Sequence, residues 1–309
     1  MHNKIEDYKI EDYKIEDYKI EDYKIEDYKI EDYKIEDYKI EDYKIAIPSY
    51  QRAQTLHDRT LHLLNKYNIS PSRIHIFLAN DKEKEEYQKL IPETAYHKII
   101  IGEPGIKNIR NFMANYFDED EPLFYIDDDI YNVMECVNHN MDMYHKRDNV
   151  LVPLDNLHQF IINGFRMALE NKCHNWGIYP VYNAYFMKPT KKDDNKFYTT
   201  TALRYIQGGF TGVINKKRCE RRTMDDKEDY ERTIKYYLYD GGVFRFNNIT
   251  AYTKCYKEKG GMQVKRTKER ILQSAKMLVE LYPNLCRLNL KKKSGYAEIT
   301  FSRKCPIIF

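Results

Sequence analysis

Long apolar runs are missing from this 309-residue chain. None approaches the roughly 20 residues that a helical membrane span needs. The opening MHNKIEDYK has no apolar leader-like stretch either. A cytoplasmic protein with no membrane partner is the expectation. Cysteine is sparse and scattered: the six lie at positions 136, 173, 219, 255, 286 and 305, with no CxxC pair. That spacing argues against a zinc ribbon and against a disulfide framework. No histidine follows His174. No Pro/Gly/Ser-rich stretch divides the body, which points to one unit. Trp176 is the only tryptophan. A core role is the simpler reading for it, and stacking on a sugar or base is the sharper one.

Charge, by contrast, is plentiful and unevenly placed. Residues 4–43 are eight copies of KIEDY. Eight Lys against sixteen acidic residues leave the repeats at −8, and the remaining 43 basic and 32 acidic residues leave the body at +11. A basic body suits a polyanionic partner and also suits a merely Lys-rich composition. A period of five matches neither the 3.6 of a helix nor the 2 of a strand. Residues 1–43 are therefore expected to be a low-complexity, disordered tail, and residues 44–309 a single domain.

Within the body, YKIAIPSY (43–50), RIHIFLAN (73–80), KIIIG (98–102) and LFYID (123–127) read as short strands rich in Ile, Phe and Tyr. Helical segments separate them, so the strands should pair in parallel. Right-handed crossovers then bring four polar strand ends to one edge: Pro48, Ser49, Tyr50 and Arg52; Asn80 and Asp81; the segment 102–105; and Asp127, Asp128 and Asp129. Ligands bind outside the carboxyl ends of such strands. In the second half, 156–171, 224–242 and 268–283 read as helices, 176–186 as a strand broken by Pro, and 202–216 as strand, Gly turn, strand. The expected fold is α/β, with a mostly parallel Rossmann-like sheet over 44–135, helices on both faces, and a mixed half over 136–309.

EPLFYIDDDIYNV (121–133) runs a buried-looking strand into three carboxylates. Their repulsion grows as water is excluded, so a cation is expected. Asp127 and Asp129 share a face if the strand continues, and their hard oxygens suit Mg²⁺ or Mn²⁺. Such an ion can grip a diphosphate and neutralise a departing phosphate. The plainer reading is an acidic N-cap for a following helix.

With that arrangement the sequence resembles the GT-A-type glycosyltransferases, whose Asp-x-Asp motif follows a strand. IPSYQR resembles their first-strand motif, GIKNIRNF a Gly…Arg-Asn helix start, and KEDYE the acidic motif that holds the base of inverting members. IPSYQRA, IFLAND, GIKNIRNF, YIDDDI, GGFTGVINKK and DGGVF together resemble the TET-associated glycosyltransferases of phages and large viruses, over most of 44–262. The resemblance implies a nucleotide-sugar donor, a UDP-sugar foremost, and a hydroxymethylated pyrimidine base in DNA as acceptor. It implies a host-cytoplasmic or viral-factory setting. It places Arg110, Asn111 and Asp128 near the donor beside Pro48, Ser49, Tyr50, Arg52, Asn80 and Asp81, with Asp127 and Asp129 on the metal. Asp229 becomes the base with Glu228 beside it, with Asp225 and Asp226 as competitors; the plainer reading of 225–229 is the start of a charged helix.

Residue chemistry leaves Arg110 two readings. A cation near a helix start opposes the dipole, and either a phosphate or a carboxylate of the triplet would compensate it. Basic clusters at 215–222, 264–270 and 290–295 would track a phosphate backbone or be solvated faces. Other functions remain open at this point: glycosyl transfer to a glycan or protein, and a non-catalytic nucleic-acid-binding or scaffolding protein.

Overall fold

The computed structural model describes residues 35–140, 145–190, 197–253, 267–291 and 296–302. Its strands are β1 Lys44–Pro48, β2 Ile74–Leu78, β3 Lys98–Ile101, β4 Pro122–Ile126, β5 Ile130–Asn138, β6 Asn149–Pro153, β7 Asn175–Tyr179, β8 Thr199–Thr200, β9 Phe210–Ile214, β10 Phe244–Thr253, β11 Cys286–Asn289 and β12 Glu298–Phe301. Its helices are α1 Ala53–Leu56, α2 His62–Lys66, α3 Asp81–Leu90, α4 Ile106–Tyr116, α5 Leu157–Glu170, α6 Lys217–Glu220, α7 Glu228–Asp240 and α8 Lys268–Leu281.

The central sheet runs β3-β2-β1-β4-β9-β7-β10-β5-β6. The first four strands pair in parallel, as the strand–helix alternation requires. Antiparallel strands then enter at β9, and β10 pairs in parallel with β7 before β5 and β6 close the far edge. The mixed second half thus extends the parallel sheet, as expected from the sequence. Alternation along β1 supplies both faces. Ile45 and Ile47 pack with Leu56, Leu64, Phe160 and Phe165. Ala46 joins Phe77, Tyr125, Met113, Ile234 and Leu278 on the other side.

Three expectations change. The packed unit begins before residue 44, because Ile40 and Tyr43 belong to the core. The Tyr43 hydroxyl meets His158 Nδ1 at 2.9 Å, and Tyr38 meets His174 Nε2 at 3.1 Å. The last two repeat copies are therefore anchored by their Ile and Tyr, and residues 1–34 lie outside the described part. Second, residues 202–207 form no strand; only 210–214 do. Third, the Asp triplet caps no helix, since β5 follows it directly.

Trp176 is a core residue, enclosed by Phe124, Phe160, Phe165 and Phe246. The indole fits because Gly212 has no side chain, for a Cβ there would lie 2.0 Å from Nε1. Among the described residues no helix is long and apolar enough to cross a membrane. The four described cysteines are buried and free.

Candidate functional site

The parallel sheet delivers the ends of β1 to β4 to one edge, and the antiparallel direction of β9 brings Gly208 and Gly209 to the same place. Asp127 N–H donates to Gly209 O at 3.0 Å. A Cβ on Gly209 would lie 2.3 Å from Asp127 Oδ2, so glycine is what lets the carboxylate lie against this turn. Between α1 and α2 the helix widens into a π-turn, His57–Leu61. Such turns recur at functional sites. This one aims Thr60 Oγ1 at Asp127 O (2.7 Å), and the same oxygen accepts from Ile130 N–H (3.1 Å). The backbone of the triplet is pinned at both ends.

The three carboxylates have separate fates. Asp128 is buried, accepting from Ser49 Oγ at 2.6 Å and from Arg52 Nη1 at 3.3 Å. Burial pushes its carboxyl up to about 7, against the opposing pull of Arg52 and the Ser49 hydrogen bond. Ser49 also meets the Tyr87 hydroxyl at 2.7 Å, and that hydroxyl accepts from Arg52 N–H at 3.0 Å. Asp127 is the open one, with a side chain 37% exposed against 3% for its partner Arg110, whose Nη2 lies 2.6 Å from Oδ1. Asp129 lies 3.8 Å from Arg52 Nη1. Burial and then the charge of Asp127 raise its carboxyl.

Behind Asp127 runs a buried chain of alternating charge. Arg110 Nε is 3.8 Å from Glu228 Oε1, Glu228 Oε2 is 3.1 Å from Arg222 Nε, and Arg222 Nη1 is 2.6 Å from Glu220 Oε2. Burial works against the Glu228 charge, but Arg222, Arg110 and Arg232 outweigh it and hold the carboxyl below its usual range. Glu228 thus faces Arg110 as a buried anion. Arg110 Nη1 has no hydrogen-bond partner and is buried. The Asp127 carboxylate is one of the two compensating groups expected for this cation.

The neighbouring acids separate in the same way. Asp226 is buried against Arg270 Nε at 2.6 Å. Asp225 Oδ1 accepts from Lys107 N–H at 3.0 Å, capping α4 from outside. That helix needs it, because its own N-cap is Gly105, at φ +99°. Asp229 accepts from the Tyr205 hydroxyl and lies beside Gly208, where a Cβ would come 3.4 Å from Asp229 Cβ and 3.8 Å from Arg110 Nη2. Burial, then the Glu228 charge, raises the Asp229 carboxyl. Asp229, Glu228 and Arg110 therefore converge on the same glycine turn as Asp127.

Other residues fall differently. Tyr50 and Asp81 are exposed at the edge, just beyond Pro48 and Asn80. Asn80 caps α3 by accepting from Glu83 N–H at 3.0 Å. Asn111 is a brace: its amide donates to Arg222 O (3.0 Å) and accepts from Arg222 N–H (2.7 Å). The 215–222 basic cluster is partly interior, with Lys216 and Arg222 both buried. Residues 264–266 and 292–295 of the other two clusters lie outside the described part. Thr60, Tyr87 and Tyr205 carry no site signal in the sequence. Arg222 lies in the 215–222 basic cluster but is turned inward onto Glu228, and the Gly turn of 202–216 is approached closely by Asp127.

The residues that could meet a divalent ion at this edge are Asp127 and Asp129. Among the described residues no three His, Cys, Asp or Glu side chains converge as a metal cage. Asp127 and Asp129 nevertheless repel one another at the open edge. An ion held by two carboxylates and completed by phosphate oxygens and water is the usual Mg²⁺ arrangement.

No family model and no curated protein matches the chain. Solved structures do. One is the mannosyltransferase PcManGT from Pyrobaculum calidifontis in complex with GDP-Man and Mn²⁺, at 10% identity over 78% of this chain and 63% of that one, with a TM-score of 0.45. Another is S. aureus TarS 1-349 in complex with UDP-GlcNAc, at 14% identity over 77% and 66%, with a TM-score of 0.43. The chain spans less than two thirds of the length of either.

Proposed function

We propose that this protein is a metal-dependent glycosyltransferase that moves a sugar from a nucleotide-sugar to a hydroxyl group. The observation that carries the reading is the convergence of Asp127, Arg110, Glu228 and Asp229 on the Gly208-Gly209 turn, with Asp129 two residues beyond Asp127 at the same sheet edge. Asp127 and Asp129 would hold Mn²⁺ or Mg²⁺, which when bound neutralises charge developing on the departing diphosphate. Arg110, buttressed by Glu228 and Arg222, fixes Asp127 through Oδ1, while Oδ2 lies against the Gly209 turn. Ser49, Asp128, Arg52 and Tyr87 hold the first loop as one hydrogen-bonded unit. That unit presents Tyr50, and α3 presents Asp81, to the nucleotide. Pro48 ends β1 at this point, and Asn80 fixes the start of α3.

In the transfer step the acceptor oxygen bonds the anomeric carbon, the bond from that carbon to the diphosphate oxygen breaks, and the hydroxyl proton passes to Asp229. Tyr205 holds Asp229 Oδ2, and burial, then the Glu228 charge, strengthens the hold of Asp229 on a proton. A base of raised pKa within reach of the hydroxyl is what proton abstraction needs. We assign the donor as a UDP-sugar and the acceptor as a hydroxymethylated base in DNA. The +11 body supports a polyanionic acceptor, and the motif resemblance supports this one.

The test is nucleotide release from a panel of UDP-, GDP- and other nucleotide-sugars with Mn²⁺, in the wild type and in an Asp127→Asn/Asp129→Asn variant. Release that requires metal, falls at least about 100-fold in the variant and rises with hydroxymethylated DNA supports the reading. Stimulation by a glycan instead of DNA would move the acceptor. No release by a folded protein that binds DNA tightly would point to a non-catalytic nucleic-acid-binding role.

A further inference from the structure

Five of the ten exposed large hydrophobic residues of the described chain lie in one place: Tyr131 (51% exposed), Val181 (49%), Tyr182 (43%), Tyr185 (51%) and Phe186 (59%). The rings meet in two sets, joined by the short segment 182–185. Tyr131 meets Tyr252 edge-on at 6.1 Å, Tyr252 meets Tyr182 at 4.8 Å, and Tyr185 meets Phe186 at 5.1 Å. Contiguous exposed apolar surface of this kind marks a binding site.

The patch starts at the proposed transfer site. Tyr131 is two residues beyond Asp129, and Tyr252 pairs with Asn132 at the entry of β5. It then follows β5 outwards. Cys136 Sγ points at Ala184 O (4.0 Å), and Asn149, the register partner of Asn138, donates to Ala184 O (3.1 Å) and Met187 O (3.3 Å). Asn132 to Asn138 spans roughly 20 Å of strand. The track is therefore long enough for several rings in line.

It is also held in place. Asn138 and Asn149 are both buried and joined at 2.7 Å. Through Asn149 the pair fixes the backbone of the aromatic loop. Through Asn138 Nδ2, which donates to His145 O at 3.1 Å, it fixes the start of the next turn. That turn carries exposed Lys146 and Arg147, and Lys146 Nζ lies 5.9 Å from the Tyr185 ring centroid. Segments 130–133, 180–188 and 250–253 contain one charged side chain, Lys188; along β5 the one further charge, Glu135, is engaged by the Thr190 hydroxyl, and Asp148 at the outer turn by the Asn140 amide. A neutral aromatic track with cations at its outer end complements a linear polymer of flat rings and negative charges.

We propose that Tyr131, Tyr252, Tyr182, Tyr185 and Phe186 form an acceptor track on which unpaired bases of a nucleic-acid strand stack, with Lys146 and Arg147 meeting its phosphates. The track rests on the proposed function in one respect: it leads the strand to the carboxylates assigned there to sugar transfer. A base at Tyr131 lies beside Asp129, and bases further out are held by Tyr182 and by Tyr185 with Phe186.

The test needs no donor or metal, so it succeeds or fails separately from the proposed transfer. A dye-labelled single-stranded oligonucleotide of about 12 bases is titrated with the full chain by fluorescence anisotropy. A labelled neutral oligosaccharide is titrated in parallel. Tyr182→Ala and Phe186→Ala should each weaken oligonucleotide binding about 5- to 100-fold, the range of one lost stacking contact. Tyr182→Phe should restore nearly all of it, because the ring face does the work. Lys146→Gln/Arg147→Gln should flatten the salt dependence by about two phosphate contacts. Oligonucleotide affinity unchanged in both alanine variants, with their circular dichroism intact, would overturn the track. So would binding of the oligosaccharide in place of the oligonucleotide. Loss of donor hydrolysis with track binding retained would sink the transferase reading alone.

Discussion

The two halves of the sheet edge solve opposite problems. At the ends of β1 and β4, charge is concentrated and largely answered from within: Asp128 by Ser49 and Arg52, Asp127 by Arg110, Glu228 by Arg222. Along β5, charge is nearly absent and the exposed groups are rings without internal cover. The contrast shows how preorganisation differs with ligand chemistry. Carboxylates that repel one another must be positioned by buried counter-charges before any cation arrives, because the repulsion would otherwise disperse them. Aromatic faces repel nothing and need only a rigid backbone, which the Asn138–Asn149 pair supplies.

The largest effect should come from breaking the buried charge chain. Arg110→Met strips Glu228 and Asp127 of a shared cation, and loss of one partner of a buried pair costs about 3–5 kcal/mol. Urea unfolding should show it. Arg222→Met should behave alike, whereas substitutions on the aromatic track should leave the midpoint almost unchanged. If Arg110→Met were as stable as the wild type, the counter-charge account would be wrong.

Two glycines sharpen the comparison next. Gly212→Ala drives a Cβ into Trp176 and should cost about 1–3 kcal/mol through overpacking. Gly209→Ala meets the partly exposed Asp127 carboxylate instead. It should displace Oδ2 with little change in unfolding, yet weaken Mn²⁺ binding roughly tenfold, about the 1.4 kcal/mol of one decade. Thermal denaturation beside a Mn²⁺ titration separates the two outcomes.

A smaller effect tests the parallel half through pH. Burial, the largest cause, lowers the His75 imidazole to about 4 from its ordinary 6.5. The unfolded chain then takes up a proton first as pH falls, so this contribution is complete above about 6.5 and is lost progressively towards 4. The ring is buried, and relaxation around its charged form limits the loss to about 1–2 kcal/mol. His75→Phe should flatten that slope, and an unchanged slope would mean that His75 does not titrate this way. Smallest of all, Tyr38→Phe removes one hydrogen bond to His174 and should cost about 1 kcal/mol. That places the seventh repeat copy among the folding contacts.

Much of the first half was legible because its signals are local. Four β-rich runs separated by helical patterns dictate parallel pairing, and that pairing alone gathers the strand ends. The Asp triplet was legible because three adjacent carboxylates have few inexpensive explanations. What escaped depends on contacts distant in sequence. Nothing near Arg222 announces that it supports Glu228, and Thr60 acts only because a π-turn rotates it towards Asp127. Asn111 looked like a donor ligand in its motif, but the backbone at 222 claims its amide. The repeat misled at its end, since composition cannot distinguish the copies and only proximity to β1 gives the last two a groove to enter.

The central claim is a two-carboxylate metal site completed by a diphosphate. It is tested most directly by electron paramagnetic resonance of Mn²⁺ titrated with the protein, with and without UDP. The account predicts weak loss of the free Mn²⁺ signal with protein alone and strong loss once UDP is added. It also predicts that the UDP-dependent loss disappears in Asp127→Asn/Asp129→Asn while Arg222→Lys retains it. Equal Mn²⁺ uptake by the wild type and the double variant in the presence of UDP would contradict it.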